Sequence, residues 1–332
     1  MEAATPLPGR VILTYGRSLM ALVIARSLAR QGIEVIGCDD VDMTVLTFSK
    51  HVRETFTVAP WETRPAEFLD DLEAAVREYA PTDGRPYVLM PVFREVELIA
   101  RNRERFEPLI KVAAPDVVSL DRVHPKDRLC AVTTSLGLSA PRGWCPADVD
   151  AVKKLDLDFP VIVKPTGGVG GRGVSIANTM DEAVEQCAAL GFEPPPLIQD
   201  FVPGEDYCVA ALAKDGGIQA IMAYRNLATF PRKAGAGAVR ESVDAAPFRE
   251  PMAQLLKETR WDGVCEVDFR WTGDRQDVPQ CIEVNARFWA GIFHSIETGV
   301  DFPWLLYQQT IGQPFAEPEP QVGVVTKTPA VW

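Results

Sequence analysis

The sequence predicts an α/β fold that passes into α+β in its C-terminal part. Two patterns carry the prediction: strands alternate with helices from residue 10 to residue 114, and apolar strands recur without that alternation from residue 197 on. With 332 residues the chain has room for roughly two domains of about 150 residues each, and ample length to bury their cores.

The N-terminal stretch opens as strand, tight turn, helix and strand: Arg10-Val-Ile-Leu-Thr-Tyr15, then Gly16 to Leu22, then Ile33 to Asp40. A helix near 66–80, the strand Tyr87–Met90, a helix near 94–106 and a short strand at Lys111–Ala114 continue the pattern. Such alternation builds a parallel sheet with helices on both faces, whose ligands sit at the carboxyl ends of the strands. Residues 121–195 read as a smaller α/β unit, in which helices near 125–137 and 180–190 flank the strand Pro160–Lys164 and a glycine-rich turn; Pro194–Pro196 then punctuates the chain. Beyond it, apolar segments at 197–198, 207–212, 219–224, 263–270 and 280–285 predict an antiparallel sheet with helices near 247–260 and 291–311.

Hydrophobic residues at 47%, charged residues at 24% and a mean hydropathy of −0.01 describe an ordinary globular chain, not a disordered, collagenous or coiled-coil one. A net charge of −12 argues against a sequence-independent nucleic-acid binder and against electrostatic attachment to a membrane. No apolar run reaches the ~18 residues of a membrane span, and Met1-Glu-Ala-Ala-Thr-Pro lacks the basic start and apolar centre of a secretion signal, so the expected location is the cytoplasm. Seven cysteines without a Cys-x-x-Cys pair indicate neither a disulfide framework nor a zinc site; they read as small core residues. His51, His124 and His294 lie far apart, which disfavours a histidine metal centre or triad and leaves carboxylates as the expected ligands of any metal.

Three segments carry chemistry. Val161-Ile-Val-Lys164 ends a strand in a lysine and is followed by Gly167, Gly168, Gly170, Gly171 and Gly173. Glycines bring backbone N–H groups against oxyanions and the lysine adds a fixed charge, so the segment reads as a phosphate clamp. Because the lysine precedes the glycines, this is not a Walker P-loop; the bland alternative is a surface loop that tolerates glycine. The second segment pairs Asp268 with Glu283 and Asn285. Period-2 alternation puts Glu283, Asn285 and Arg287 on one face of their strand, and Glu266, Asp268 and Arg270 on one face of theirs. A hairpin across Gly273-Asp274 would bring Asp268 and Glu283 together, and two carboxylates with an amide oxygen are hard ligands that suit Mg²⁺. Taken alone, the same alternation describes a solvated sheet face. In the third segment an apolar strand from Leu197 turns at Pro203-Gly204 and resumes at Tyr207, a hinge that can offer backbone groups to an adenine edge and an acid to ribose hydroxyls.

In this order the segments resemble the ATP-grasp superfamily of ligases, over essentially the whole chain. The family pattern matches Lys126, Lys164-Pro165 with Gly167–Gly173, the acidic hinge Gln199–Asp206, and Asp268 with Glu283, Asn285 and Arg287. The run Ile282-Glu-Val-Asn-Ala-Arg-Phe-Trp-Ala-Gly resembles the carbamoyl-phosphate-synthase-like and carboxylate–amine ligase branches, with Ala286 where proline is usual and Asp268 where glutamate is common. The resemblance implies a Rossmann-like pre-ATP-grasp domain over 1–120, then a two-lobed ATP-grasp domain whose small lobe is 121–196 and whose large lobe is 197–332. It implies that Lys126 and Lys164 hold the α- and β-phosphates and that the glycine loop covers the β- and γ-phosphates. Gln199, Asp200 and the Val202 backbone would read adenine, and Asp206 would take the ribose. Asp268, Glu283 and Asn285 would hold one or two Mg²⁺ ions, or Mn²⁺ in their place, and Arg287 would stabilise charge on the transferring phosphoryl group.

Arg240, in a basic glycine-rich stretch at 224–243 with Arg232 and Lys233, reads as part of a substrate or phosphate loop and joins Arg287 and Lys164 as a catalytic candidate; the bland alternative is a mobile connection whose basic residues only solubilise it. Phe93-Arg94-Glu95, after the strand Tyr87–Met90, reads as part of an acceptor pocket or as the start of a helix. Trp289 and His294, which follow the carboxylate strand, read as core residues or as supports packed behind the site. An NAD-type reading of the N-terminus rests on Asp39, which follows Gly16 at roughly the ~20-residue spacing of a ribose-binding acid. It lacks the glycine fingerprint. The implied activity is an ATP- and Mg²⁺-dependent carboxylate–amine ligase that passes through an acyl phosphate and releases ADP; the alternatives are a carbamate or carboxylate kinase and a catalytically silent ATP-binding protein. The expected partners are a small carboxylate and an amine, not nucleic acid or membrane, and a second copy of the chain in a dimer through the N-terminal domain.

Overall fold

The computed structural model describes residues 9–167, 173–230 and 236–328, in three sheets. The first contains β1 (Arg10–Leu13), β2 (Glu34–Asp39), β3 (Glu54–Thr57), β4 (Tyr87–Met90) and β5 (Lys111–Val112), all parallel, in the order β3-β2-β1-β4-β5. Val11 and Ile12 stand between Val35 and Ile36 on one side and Val88 and Leu89 on the other, all buried, as a sheet covered on both faces requires. The chain leaves β1 through Tyr15, held at φ 56°, and Ser18 caps the helix Leu19–Arg30 by accepting from the Ala21 amide. Ala21, Ile24, Ala25 and Leu28 recur at helical spacing and bury that helix. Since β2 lies on one side of β1 and β4 on the other, the crevice between the carboxyl ends of β1 and β4 is the topological switch point. The single helix expected near 94–106 is two, Glu95–Arg101 and Arg103–Phe106, parted at Asn102.

The second sheet is antiparallel and contains β6 (Gly143–Trp144), β7 (Val161–Lys164), β8 (Ser175–Ala177) and β9 (Leu197–Asp200), in the order β6-β9-β7-β8. This corrects one expectation. The segment beginning at Leu197, assigned from its sequence to the large antiparallel sheet, pairs with β7 instead, and Ile198 joins the separate core of Val161, Val163, Ala177, Ala183 and Cys187. A short apolar strand satisfies either sheet equally well, so only the partner decides.

The third sheet, also antiparallel, contains β10 (Glu205–Lys214), β11 (Gly217–Phe230), β12 (Ala236–Val243), β13 (Gly263–Trp271), β14 (Gln280–Asn285) and β15 (Val325–Lys327), in the order β14-β13-β10-β11-β12-β15. The helix expected over 291–311 is likewise two, Ile292–Glu297 and Phe302–Ile311, broken where Gly299 takes φ 97° and restarted by the Asp301 side chain, which accepts from the Trp304 amide. This pair sits between the first and third sheets. Trp289, Phe302 and Tyr307 share one apolar cluster with Val11, Leu13 and Val88 on one side and Ala210, Leu212 and Val264 on the other. Six of the seven cysteines are buried and Cys145 is exposed. Among the described residues no helix is long and apolar enough to cross a membrane.

Candidate active site

Strand register lays a polar row across the third sheet. Tyr224 of β11 lies opposite Cys208 of β10, Cys208 opposite Asp268 of β13, and Asp268 opposite Glu283 of β14; in the next row Glu266 lies opposite Asn285. Residues opposite one another share a face, so Asp268 and Glu283 do converge. The Asn285 amide donates to Asp268 Oδ2 at 3.4 Å. Arg287 donates through Nη2 to Asn285 Oδ1 at 3.0 Å and through Nη1 to the Phe288 carbonyl at 2.7 Å, and its guanidinium covers the Phe93 ring.

Two lysines reach the same place from the side of the second sheet. Lys126, in the first turn of the helix Lys126–Leu136, sets Nζ 3.3 Å from Glu283 Oε1. Lys164 ends β7, is buried, and donates through Nζ to the Ile282 carbonyl at 3.2 Å. Burial, with the Lys126 charge beside it, lowers the Lys164 ammonium to about 8. An anion arriving between the two lysines would offset their repulsion and favour the charged ammonium.

The carboxylates are strained in the opposite sense. Burial pushes Glu266 up to about 7, against the Tyr224 hydroxyl that donates to it and the pull of Arg287 and Arg240. Burial and the neighbouring Glu266 and Glu283 charges push Asp268 well above the usual carboxylate range. Glu266 and Asp268, both disfavoured as charged groups and both within 4.8 Å of each other and of the Cys208 sulfur, adjoin Glu283 in a donor set that fits a divalent cation. Asp268, Glu266 and Glu283 could offer hard oxygens to such an ion, and Asn285 Oδ1 would have to leave Arg287 to join them. The sequence pattern placed Glu266 on the right face, but its place beside Asn285 and its bond to Tyr224 emerge only from the register.

Arg240 enters from β12. It is 4% exposed, donates through Nη1 to Thr328 Oγ1 at 2.7 Å, lies over the Tyr224 ring, and has no partner for Nε among the described residues. Trp289 and His294 are core residues as expected; the His294 ring stands edge-on to Tyr224 with Nδ1 2.9 Å from Thr326 Oγ1, and burial pushes its pKa down to about 4.

Three of the four hinge residues hold arginines, and the Asp206 charge reaches Asp268. Gln199 is buried on β9, Asp200 pairs with Arg142 at 2.6 Å, the Val202 carbonyl accepts from Arg270 at 3.2 Å, and exposed Asp206 pairs with Arg270 at 3.0 Å. A ribose on Asp206 would therefore displace Arg270. Gly167 faces open space and Gly173 takes φ 77°; Gly168, Gly170 and Gly171 lie outside the described residues, as do Arg232 and Lys233. Asp39 accepts from the Arg17 amide and Nε at 2.7 Å each, so a ribose there would compete with Arg17 as one on Asp206 would with Arg270.

Residues 192–329 match the family described as ATP-grasp in the biosynthetic pathway with Ter operon, and residues 138–193 match the ATP-binding domain of the carbamoyl-phosphate synthase L chain. A carbamoyl-phosphate synthase of Methanobrevibacter smithii is 24% identical over 204 residues, 57% of this chain, and the match spans 53% of that protein, so the chain covers about half the length of this relative. Biotin carboxylase from Campylobacter jejuni superposes with a TM-score of 0.74 at 17% identity, over 95% of this chain and 74% of that one. L-amino acid ligase from Bacillus licheniformis superposes with a TM-score of 0.70 at 17% identity, over 95% of this chain and 76% of that one. At such identity the likeness is one of fold.

Proposed function

The chain belongs to the ATP-grasp superfamily, and on that premise we propose that it is an ATP- and Mg²⁺-dependent ligase that joins a small carboxylate to an amine through an acyl phosphate. The observation that carries the reading is the meeting of Lys126 and Lys164, from the side of the second sheet, with Asp268, Glu283, Asn285 and Arg287 of the third. In this reading the two lysines and the glycine-loop amides hold the phosphates in line. Gln199, Asp200 and the Val202 backbone receive adenine, and Asp206 exchanges Arg270 for the ribose. A divalent ion on Asp268, Glu283 and Asn285, with Glu266 adjoining, supplies neutralisation of the phosphate oxygens when bound.

The reaction balances without a side-chain nucleophile. A substrate carboxylate oxygen attacks the γ-phosphorus, forming the acyl phosphate C–O–P linkage as the bond to ADP breaks. The amine nitrogen then attacks the acyl carbon, the C–O bond to phosphate breaks, and the nitrogen's proton leaves with the phosphate. Arg287 offsets charge on the transferring oxygens, and Arg240, buried with Nε free, receives the substrate carboxylate.

The test is ADP release with Mg·ATP and pooled amino acids, small peptides and small carboxylic acids, supplied singly and in pairs. Release that needs a carboxylate and an amine together is expected. ADP formed with one carboxylate alone would identify a kinase and overturn the ligase reading, and thermal stabilisation by ATP without turnover of any pair would leave a binding protein.

A further inference from the structure

One face of β13 carries Glu266, Asp268 and Arg270, since alternate residues of a strand point the same way. Register sets Asp206 of β10 directly opposite Arg270, as it sets Cys208 opposite Asp268. Arg270 therefore stands on the face of the carboxylate cluster, displaced from Asp268 toward the hinge that joins β9 to β10. Three contacts hold it there. Its Nη1 donates to Asp206 Oδ1 at 3.0 Å, its Nε donates to the Val202 carbonyl at 3.2 Å, and its guanidinium lies 6.0 Å from the centroid of the Phe201 ring. The hinge also rests on the backbone of the same strand: Gly204 takes φ 109°, and a Cβ there would sit 2.2 Å from the Trp271 carbonyl oxygen.

These contacts use the groups a nucleoside needs in the ATP reading, the Val202 backbone at the adenine edge and Asp206 at the ribose. One guanidinium bridges both acceptors, so a nucleoside that bridges the same two must lie where the guanidinium lies. The bridge is also reachable from solvent: the Arg270 side chain is 24% exposed and that of Asp206 62%. An ion pair so exposed contributes little to stability, which lets a ligand break it at small cost. Breaking it has a mechanical consequence. Val202 lies between β9 of the second sheet and β10 of the third, so the Nε bond ties the connection between the two sheets to β13.

We propose that Arg270 is a clasp on the nucleotide site: without nucleotide it fastens the hinge to β13 by holding the base and ribose acceptors, and an entering nucleoside takes both from it. The identity of the occupant rests on the ATP reading. Removing a cation from a nucleotide site ordinarily weakens binding; here it should strengthen it. The experiment is calorimetry on the full chain without metal, using adenosine, ADP and inorganic tripolyphosphate. Arg270→Met keeps the aliphatic stem and loses the donors, and it should bind adenosine and ADP roughly three- to tenfold more tightly than the wild type. Tripolyphosphate, which reaches only the lysines, should gain nothing. The amide hydrogens of Phe201, Val202 and Gly204 should exchange faster in the nucleotide-free variant than in the wild type, and at equal rates once ADP is bound. Arg270→Lys keeps a charge for Asp206 without the fork that also reaches Val202, so it should fall between the two and guards against a folding defect in the first variant. Adenosine and ADP affinities that are unchanged or lowered in both variants, or an equal gain for tripolyphosphate, would overturn the clasp and leave the ATP reading standing. Absence of adenosine and ADP binding in the wild type and both variants would overturn the ATP reading, and the clasp with it.

Discussion

Phe93 carries the Arg287 guanidinium 4.7 Å from its ring centroid. One residue follows β4 of the parallel sheet and the other follows β14 of the antiparallel one, so the contact joins two sheets at the point where the candidate phosphoryl site meets the candidate acceptor site. Arg287 is also tied to Asn285 and to its neighbour's carbonyl, and burial lowers its pKa. An arginine so placed has few alternatives to the charge in front of it.

Glu283→Gln preserves shape and removes one charge of the candidate metal set. ADP formation should fall at least a hundredfold, while the thermal midpoint stays within a few degrees, because Glu283 is partly exposed and its pairing with Lys126 contributes little to stability. A large loss of stability in a melting scan would show the carboxylate to be structural.

Lys164→Met should weaken ATP binding at least tenfold by calorimetry, a change of about 1.4 kcal/mol. Stability should hold or rise, since the variant removes a buried ammonium whose charged form is already disfavoured. Unchanged ATP affinity would defeat the phosphate-clamp assignment.

His294 should make the protein acid-sensitive. Its folded pKa of about 4 lies below the ordinary value of 6.5, so as pH falls the unfolded chain takes up the proton first. The stabilisation is therefore whole above pH 6.5 and is lost between 6.5 and 4, on the order of 3 kcal/mol at most. Urea midpoints of the wild type should fall across that window, and those of His294→Gln should fall less.

Gly291→Ala would put a Cβ 2.5 Å from the Tyr224 hydroxyl. The ring must move, and Glu266 then loses its donor in a buried setting, so a loss of about 1–3 kcal/mol is expected. Denaturant unfolding of the double variant with Tyr224→Phe should show the two changes to be less than additive, because they act on one contact.

The parts of this structure that the sequence made legible are those whose signal is local. Asp268 and Glu283 were readable as a converging pair because alternation fixes the face and a short connection fixes the partner. The parallel sheet was readable because Val11, Ile12, Val35 and Ile36 are apolar on both faces. What escaped depends on distant partners. The Leu197–Asp200 strand could pair on either side of its hinge, and β12 was hidden because Arg240 and Glu241 interrupt its apolar pattern. The buried contact of Glu95 with Thr14 spans 81 positions, which no spacing rule connects.

The apolar core of Val161, Val163, Ala177, Cys187 and Ile198 closes on itself, whereas the first and third sheets share one core through Phe302 and Tyr307. A unit whose apolar contacts end within itself can open without unfolding its neighbours. Amide hydrogens of β6 to β9 should therefore exchange with solvent through a sub-global opening of lower free energy than the rest of the chain requires. A nucleotide bridging Lys164 and Glu283 would fasten that unit to the larger body, and its protection would rise before that of any other segment.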